Sequence, residues 1–315
     1  MKLINVANEF LNEKKYGIKK RTFLFYNQMI NMHIAYEIGN MEINDLTKNK
    51  LNEFIINKYE FGNKKNKSGL SYSTIKSIQG ILNKCLKFAY KRKYLSERLE
   101  MNISIKQNNV KKVDSLTKEE QFKIEKYLLD KKRKYCYGIL ISLYTGMRLG
   151  ELLALCWEDV DYKNKTINIR RTTCRVLENN KTIIIEDTPK TLSSFREIPL
   201  TNFVISILKE LKQYQNNKSE YVISKNTGKR IETRSYQESF SRLLKRLKIR
   251  HYGFHSIRHT FATRCLELGV DIKTLSELLG HTNPTVTLNR YVHSNIELKK
   301  AAMNKLYKKF NYSFS

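Results

Sequence analysis

The chain has no run of about 18 apolar residues, so no membrane-spanning helix is expected. Its first residues, MKLINVANEFLNEKK, carry charges where a secretory signal needs an apolar stretch, and a cytoplasmic location is expected. Cysteine is sparse: Cys85, Cys136, Cys156, Cys174 and Cys265 form no close pair and are odd in number. That pattern argues against a zinc framework or a disulfide scaffold and fits reduced thiols in a core. Neither an internal repeat nor a low-complexity tail is present. Gly146 and Gly150 are too few and wrongly set for a glycine-rich nucleotide loop. Acid is outnumbered: 30 Asp and Glu stand against 59 Lys and Arg, a formal charge of +29 over 315 residues. So large an excess repels itself unless held near nucleic acid, an anionic membrane or an acidic protein.

What is present is enough to fold. Hydrophobic residues make up 41% of the chain, which rules out wholesale disorder. Residues 1–105 read as a bundle of about four helices. Val6 and Phe10 lie one turn apart, and a basic joint, Gly17-Ile18-Lys19-Lys20-Arg21, leads to a second helix over 22–36. A third helix starts near Leu46, and a basic loop runs from Gly62 to Gly69. The last helix places Ile75, Ile78, Leu82, Cys85 and Ala89 on one stripe. Residues 106–114, rich in Lys and Asn, read as a basic linker.

A second domain is expected over 115–315, opened by a capping box at Thr117 and Glu120. Helices are expected over 117–130, 134–145 and 149–156. KTINIRRTTCRV, KTIIIEDT and SFREIPL are rich in β-branched residues and read as strands, the last ended by Pro199. Helices resume over 201–215 and 235–247, and another starts near Ser256 and ends at Gly269. Asp271 caps the next, and Asn283-Pro284 starts one more. The fold class is therefore mainly α with a small antiparallel β-sheet.

Five segments carry the chemistry: TGMRLGELLAL around Arg148, TPKTLSSFREIPL around Lys190, HSIRHTFAT from His255, LGH ending at His281, and NRYV containing Tyr291. Arg148 lies between two glycines in an apolar stretch, where a cation usually has a dedicated partner; the plain alternative is a surface salt bridge. His255 and Arg258 are three apart and share one side of a helix start. His255 and His259 have a zinc-like spacing, but Ser256 stands where a metalloprotease needs glutamate, and no third ligand is near. His259 reads better as a buried, hydrogen-bonded residue.

Together these segments resemble the tyrosine recombinase family, the lambda-type phage integrases, and in particular its mobile-element members. The resemblance covers about two thirds of the chain through the C-terminal catalytic domain, and more weakly a helical, SAM-like core-binding domain before it. It implies that Arg148 and Arg258 are guanidinium forks that stabilise charge on a phosphate. By the same resemblance Tyr291 is the nucleophile, whose phenol, with a pKa near ~10, needs cations to attack at neutral pH. Tyr252, beside His255, is the fallback among 19 tyrosines. Lys190 matches the lysine that protonates the leaving oxygen, with Lys181 its nearest rival. His255 and His281 would bind the phosphate or move a proton. Glu151 matches an acidic position that orients a neighbour, unless it is an ordinary surface glutamate.

The resemblance further implies a homotetramer on two sites in double-stranded DNA, with a directionality factor as a candidate partner and no metal or other cofactor. Lys19, Lys20, Arg21, Lys64, Lys65, Lys111 and Lys112 are the candidate DNA-binding cations. The tail IELKKAAMNKLYKKF is amphipathic and is expected to fold on its own domain or to pass to a neighbouring subunit. Many family members carry a further N-terminal domain for arm sites; this chain begins almost directly with the helical domain, so the expectation is either that arm sites are not used or that the chain is a simpler subtype. Two other readings share the features: a nicking–closing enzyme of the type IB topoisomerase kind, and an accessory DNA-binding protein with a decayed site.

Overall fold

A computed structural model describes residues 1–63, 68–103, 105, 115–178, 181–187, 195–281, 283–285 and 303–304. The chain divides into two units, Met1–Lys111 with Val176–Ile183, and Lys112–Arg175 with Ile184–Ser315. Four helices dominate the first: α1 (Leu3–Lys14), α2 (Lys20–Met29), α3 (Lys48–Phe61) and α4 (Tyr72–Lys91). α1 buries Leu3, Val6, Ala7, Phe10 and Leu11, a three-and-four spacing that puts them on one face. The expected stripe on α4, Ile75, Ile78, Leu82, Cys85 and Ala89, is buried throughout. Each such aliphatic side chain contributes about 1.5–3 kcal/mol on burial, so the stripe rather than intrinsic propensity holds the helix. Thr47 and Ser71 cap α3 and α4 by accepting from the amides of Lys50 and Thr74.

The second unit is built around α6 (Tyr137–Thr145), whose residues are buried on nearly every side. Around it stand α5 (Lys118–Asp130), α7 (Leu149–Leu152), α8 (Asn202–Gln215), α9 (Thr233–Arg246), α10 (His255–Glu267) and α11 (Ile272–Leu279). α5 opens with the expected capping box: Thr117 accepts from the Glu120 amide, and Glu120 accepts in return from the Thr117 amide. Just before it, the Leu116 backbone is held at both ends by α10. Its amide donates to Thr260 Oγ1 (2.9 Å), and its carbonyl accepts from Arg264 Nη2 (2.9 Å).

Among the described residues five strands form two small sheets. β1 (Val160–Asp161), β2 (Thr166–Ile169) and β5 (Arg196–Pro199) pair antiparallel in the order β1-β2-β5, with Ile167 opposite Ile198 and Ile169 opposite Arg196. β3 (Thr172–Glu178) and β4 (Lys181–Asp187) form the second sheet.

Two elements differ from expectation. KTINIRRTTCRV is not one strand but two, because Arg171 turns aside to pair with the buried Asp159 (2.8 Å) and with Glu158 (2.5 Å). The helix expected over 149–156 stops after one turn. Beyond it the backbone pairs with a distant segment instead: the Val222 amide donates to Leu155 O, and the Trp157 amide to Glu220 O. Among the described residues no helix is long and apolar enough to cross a membrane.

Candidate active site

The end of α11 organises the site. A helix leaves its last carbonyls without partners. Here Gly280, at φ +63°, turns the chain so that the Gly280 amide reaches Glu277 O and the His281 amide reaches Ser276 O. The next three carbonyls each take an arginine from a different element. Arg196, at the start of β5, donates from Nε to Leu278 O (2.7 Å). Arg258, on α10, donates from Nη2 to Leu279 O (2.6 Å). Arg148, just before α7, donates from Nη2 to Gly280 O (3.1 Å). Three guanidiniums repel one another, and the negative end of a helix is a place where they can gather.

Glu151 completes the arrangement. Its carboxylate accepts from Arg148 Nη1 (2.7 Å) and from the Arg148 amide (2.9 Å). From the other side it accepts Arg196 Nη2 (2.8 Å) and Nη1 (3.2 Å). Only 4% of the Glu151 side chain is exposed. Burial alone pushes its pKa up, but the Arg196 and Arg148 guanidiniums overcome this and hold the carboxyl at about 2. Glu151 is thus a permanently charged bracket between two arginines and not a surface glutamate.

Arg258 is almost wholly buried, at 2% exposure. Besides Leu279 it grips the carbonyl of Gly146 through Nη1 (2.9 Å). Gly146 ends α6 at φ +65°, and a Cβ there would lie 2.5 Å from the Phe261 ring, so the turn that presents this carbonyl requires glycine. Arg258 Nη2 also lies 2.9 Å from His281 Nε2. A guanidinium has no acceptor, so His281 accepts at Nε2 and carries its proton on Nδ1. His255, exposed at the first position of α10, stacks edge-on against the buried His259, with ring centroids 4.4 Å apart.

Arg148, Glu151, Arg258 and His281 are therefore brought together. Lys190 and Tyr291 lie outside the described residues, as do Lys64, Lys65, Lys111, Lys112 and most of the tail. Lys19 precedes α2, while Lys20 and Arg21 are exposed in its first turn; Lys20 is paired with Glu178 (2.8 Å). Tyr252 is buried and donates to Glu120 (2.8 Å) while accepting from Arg250 (2.8 Å). Burial and the Glu120 bond push its phenol up, the wrong direction for a nucleophile. Among the described residues, no three His, Cys, Asp or Glu side chains gather to hold a metal ion.

Sequence reasoning missed Arg196. The signal was in SFREIPL: Arg196 alternates with the buried Ile198 and Leu200, so a strand there sends all three to one face. An arginine on the inward face of a strand needs a carboxylate waiting for it.

The phage integrase family profile matches residues 104–297, and the phage integrase N-terminal SAM-like domain matches residues 3–59. A XerC-like tyrosine recombinase of Caldanaerobacter subterraneus subsp. tengcongensis is 29% identical over 299 residues, which cover 87% of this chain and 74% of the relative. The transposase of transposon Tn916 from Enterococcus faecalis is 30% identical over 209 residues, 61% of this chain; the match spans about half of that relative, 51%. Among solved structures, the Tn1549 transposon integrase in complex with transposon right end DNA shares the fold at a TM-score of 0.79, with 24% identity over 97% of this chain and 99% of that one. Lambda integrase, solved as a tetramer bound to a Holliday junction, gives a TM-score of 0.61 at 17% identity, over 90% of this chain and 79% of that one. A SAM-like helical domain followed by an integrase catalytic domain defines a DNA strand-transfer enzyme. The chain belongs to the phage integrase family of tyrosine recombinases, with the site-specific integrases of phages and transposons as its relatives.

Proposed function

We propose that the protein cleaves and rejoins duplex DNA through a 3′-phosphotyrosyl bond to Tyr291, and so integrates or excises a phage or other mobile element. The observation that supports this most directly is the gathering of Arg148, Arg258 and His281 at the end of α11. A phosphodiester under attack accumulates charge on its non-bridging oxygens, and preset guanidiniums and imidazoles are the groups that stabilise it. The same cations would favour the phenolate of Tyr291, ten residues after His281 in the chain. Attack forms the Tyr291 Oη–phosphorus bond and breaks the bond to the 5′ oxygen, which takes a proton from Lys190. A 5′ hydroxyl from a second strand reverses the step, so the phosphoester energy is kept and no nucleotide is consumed. His255, exposed at the start of α10 three residues before Arg258, would bind the same phosphate or move a proton.

The partner is double-stranded DNA, gripped by cations that include Lys19, Lys20 and Arg21. The likeness to the Tn1549 integrase on transposon right end DNA supports the DNA partner, and that to the lambda integrase tetramer on a Holliday junction supports four copies acting on two sites. The test is a duplex spanning the junction of the genetic element that encodes the chain, nicked near the crossover so that cleavage cannot be reversed. The wild-type protein should form a covalent adduct, and Tyr291→Phe should bind the same DNA without one. An adduct that survives Tyr291→Phe, or none with the wild type, overturns the assignment. Strand exchange between two duplexes separates recombination from simple nicking and closing.

A further inference from the structure

Two arginines of the site were expected to meet a phosphate; the third has no such expectation. The Arg196 guanidinium makes three hydrogen bonds to protein acceptors, two to Glu151 and one to Leu278 O, and its backbone in β5 lies opposite Ile169. Only 6% of its side chain is exposed, so it is buried behind Glu151. Its fork therefore adds a second, rigid tie between two things that are also linked by the Arg148–Gly280 O bond. One is Glu151, which holds the guanidinium and the amide of Arg148. The other is the end of α11, whose next two carbonyls seat Arg258 and Arg148 and whose next residue is His281.

On the reading of the site given above, we propose that Arg196 is a positioning residue for strand cleavage: by clasping Glu151 and the Leu278 carbonyl in one rigid fork, it fixes where Arg148 stands relative to Arg258 and His281. The geometry needs arginine. A guanidinium presents Nε, Nη1 and Nη2 in one plane and meets a carboxylate along one edge while Nε serves a carbonyl; a lysine ammonium is a single point that cannot hold this span rigidly. Partners that orient groups at a reaction centre are typically worth 10- to 100-fold in rate, and Arg196 stands in that relation to Arg148.

The experiment measures single-turnover adduct formation on the nicked duplex as a function of enzyme concentration, for the wild type, R196K, E151Q and the double variant. Expected for R196K is a loss of roughly 10- to 100-fold in the saturating rate, with the half-saturating concentration unchanged within about threefold. R196K added to E151Q should cost little more than E151Q alone, because Arg196 acts through Glu151. The proposal is overturned if R196K cleaves at the wild-type rate. It is equally overturned if its loss lies in the half-saturating concentration, or if the two losses multiply as independent effects. Should R196K fail to fold by circular dichroism, the neutral pair E151Q with R196Q replaces it, leaving no uncompensated buried charge. That pair should bind DNA and cleave as poorly as E151Q, and wild-type cleavage by it would refute the role. Absence of an adduct with the wild type refutes the cleavage reading itself and the positioning role with it; a wild-type adduct matched by R196K refutes only the role of Arg196.

Discussion

Replacing Glu151 by glutamine tests the electrostatics of the site without touching DNA. The carboxyl lies at about 2 in the folded protein against an ordinary 4.5. At about 1.4 kcal/mol per unit, ionised Glu151 contributes on the order of 3 kcal/mol at neutral pH. The sign follows from the direction: a depressed carboxylate stabilises fully above the unfolded value and loses that contribution as pH falls through 4.5 toward 2. E151Q should therefore unfold more easily than the wild type by about 3 kcal/mol at pH 7, and by only about 1 kcal/mol at pH 3. The assay is urea denaturation followed by tryptophan fluorescence, comparing midpoints at constant slope. Trp157 is the chain's sole tryptophan and lies in the same unit as Glu151, its indole donating to Gln215 (3.0 Å), so it reports the right unfolding event. An E151Q midpoint equal to the wild type at pH 7, or a gap that stays constant between pH 7 and pH 3, would refute the reasoning.

Two further substitutions probe the surroundings. Gly146→Ala places a Cβ 2.5 Å from the Phe261 ring at φ +65° and should cost about 2 kcal/mol in the same urea series; a neutral effect would mean that the turn carrying the Arg258 contact is not constrained. Tyr252→Phe removes the hydroxyl shared by Glu120 and Arg250, and should lower stability by about 1 kcal/mol while leaving adduct formation intact; loss of the adduct would return Tyr252 to the list of nucleophiles.

Local patterns were the readable part of this sequence. The α4 stripe follows from period alone, and the Thr117–Glu120 capping box from two residues three apart. Arg148, Glu151, Arg258 and His281 stand in short segments whose order carries a resemblance, and the structure brings them together. Arg196 was opaque for a physical reason. Its partners, Glu151 and Leu278, are 45 and 82 residues away, and the alternation with Ile198 and Leu200 marks an inward face without naming what waits there, for one cation among 59 Lys and Arg. The same reason explains α7, whose helical pattern continues past Leu152 while a backbone pairing with residues 220–222, invisible locally, claims the chain. The split of KTINIRRTTCRV turned on Asp159, another distant charge, which draws Arg171 out of line.

Leu116 carries a consequence beyond packing. Its backbone is moored at both polar groups to Thr260 and Arg264, and Thr260 sits two residues beyond Arg258 on the same rod. The segment that enters α5 is thus fastened by two hydrogen bonds to the helix that also carries Arg258. Losing the Thr260 hydroxyl would leave the Leu116 amide without this acceptor and loosen that fastening beside Arg258.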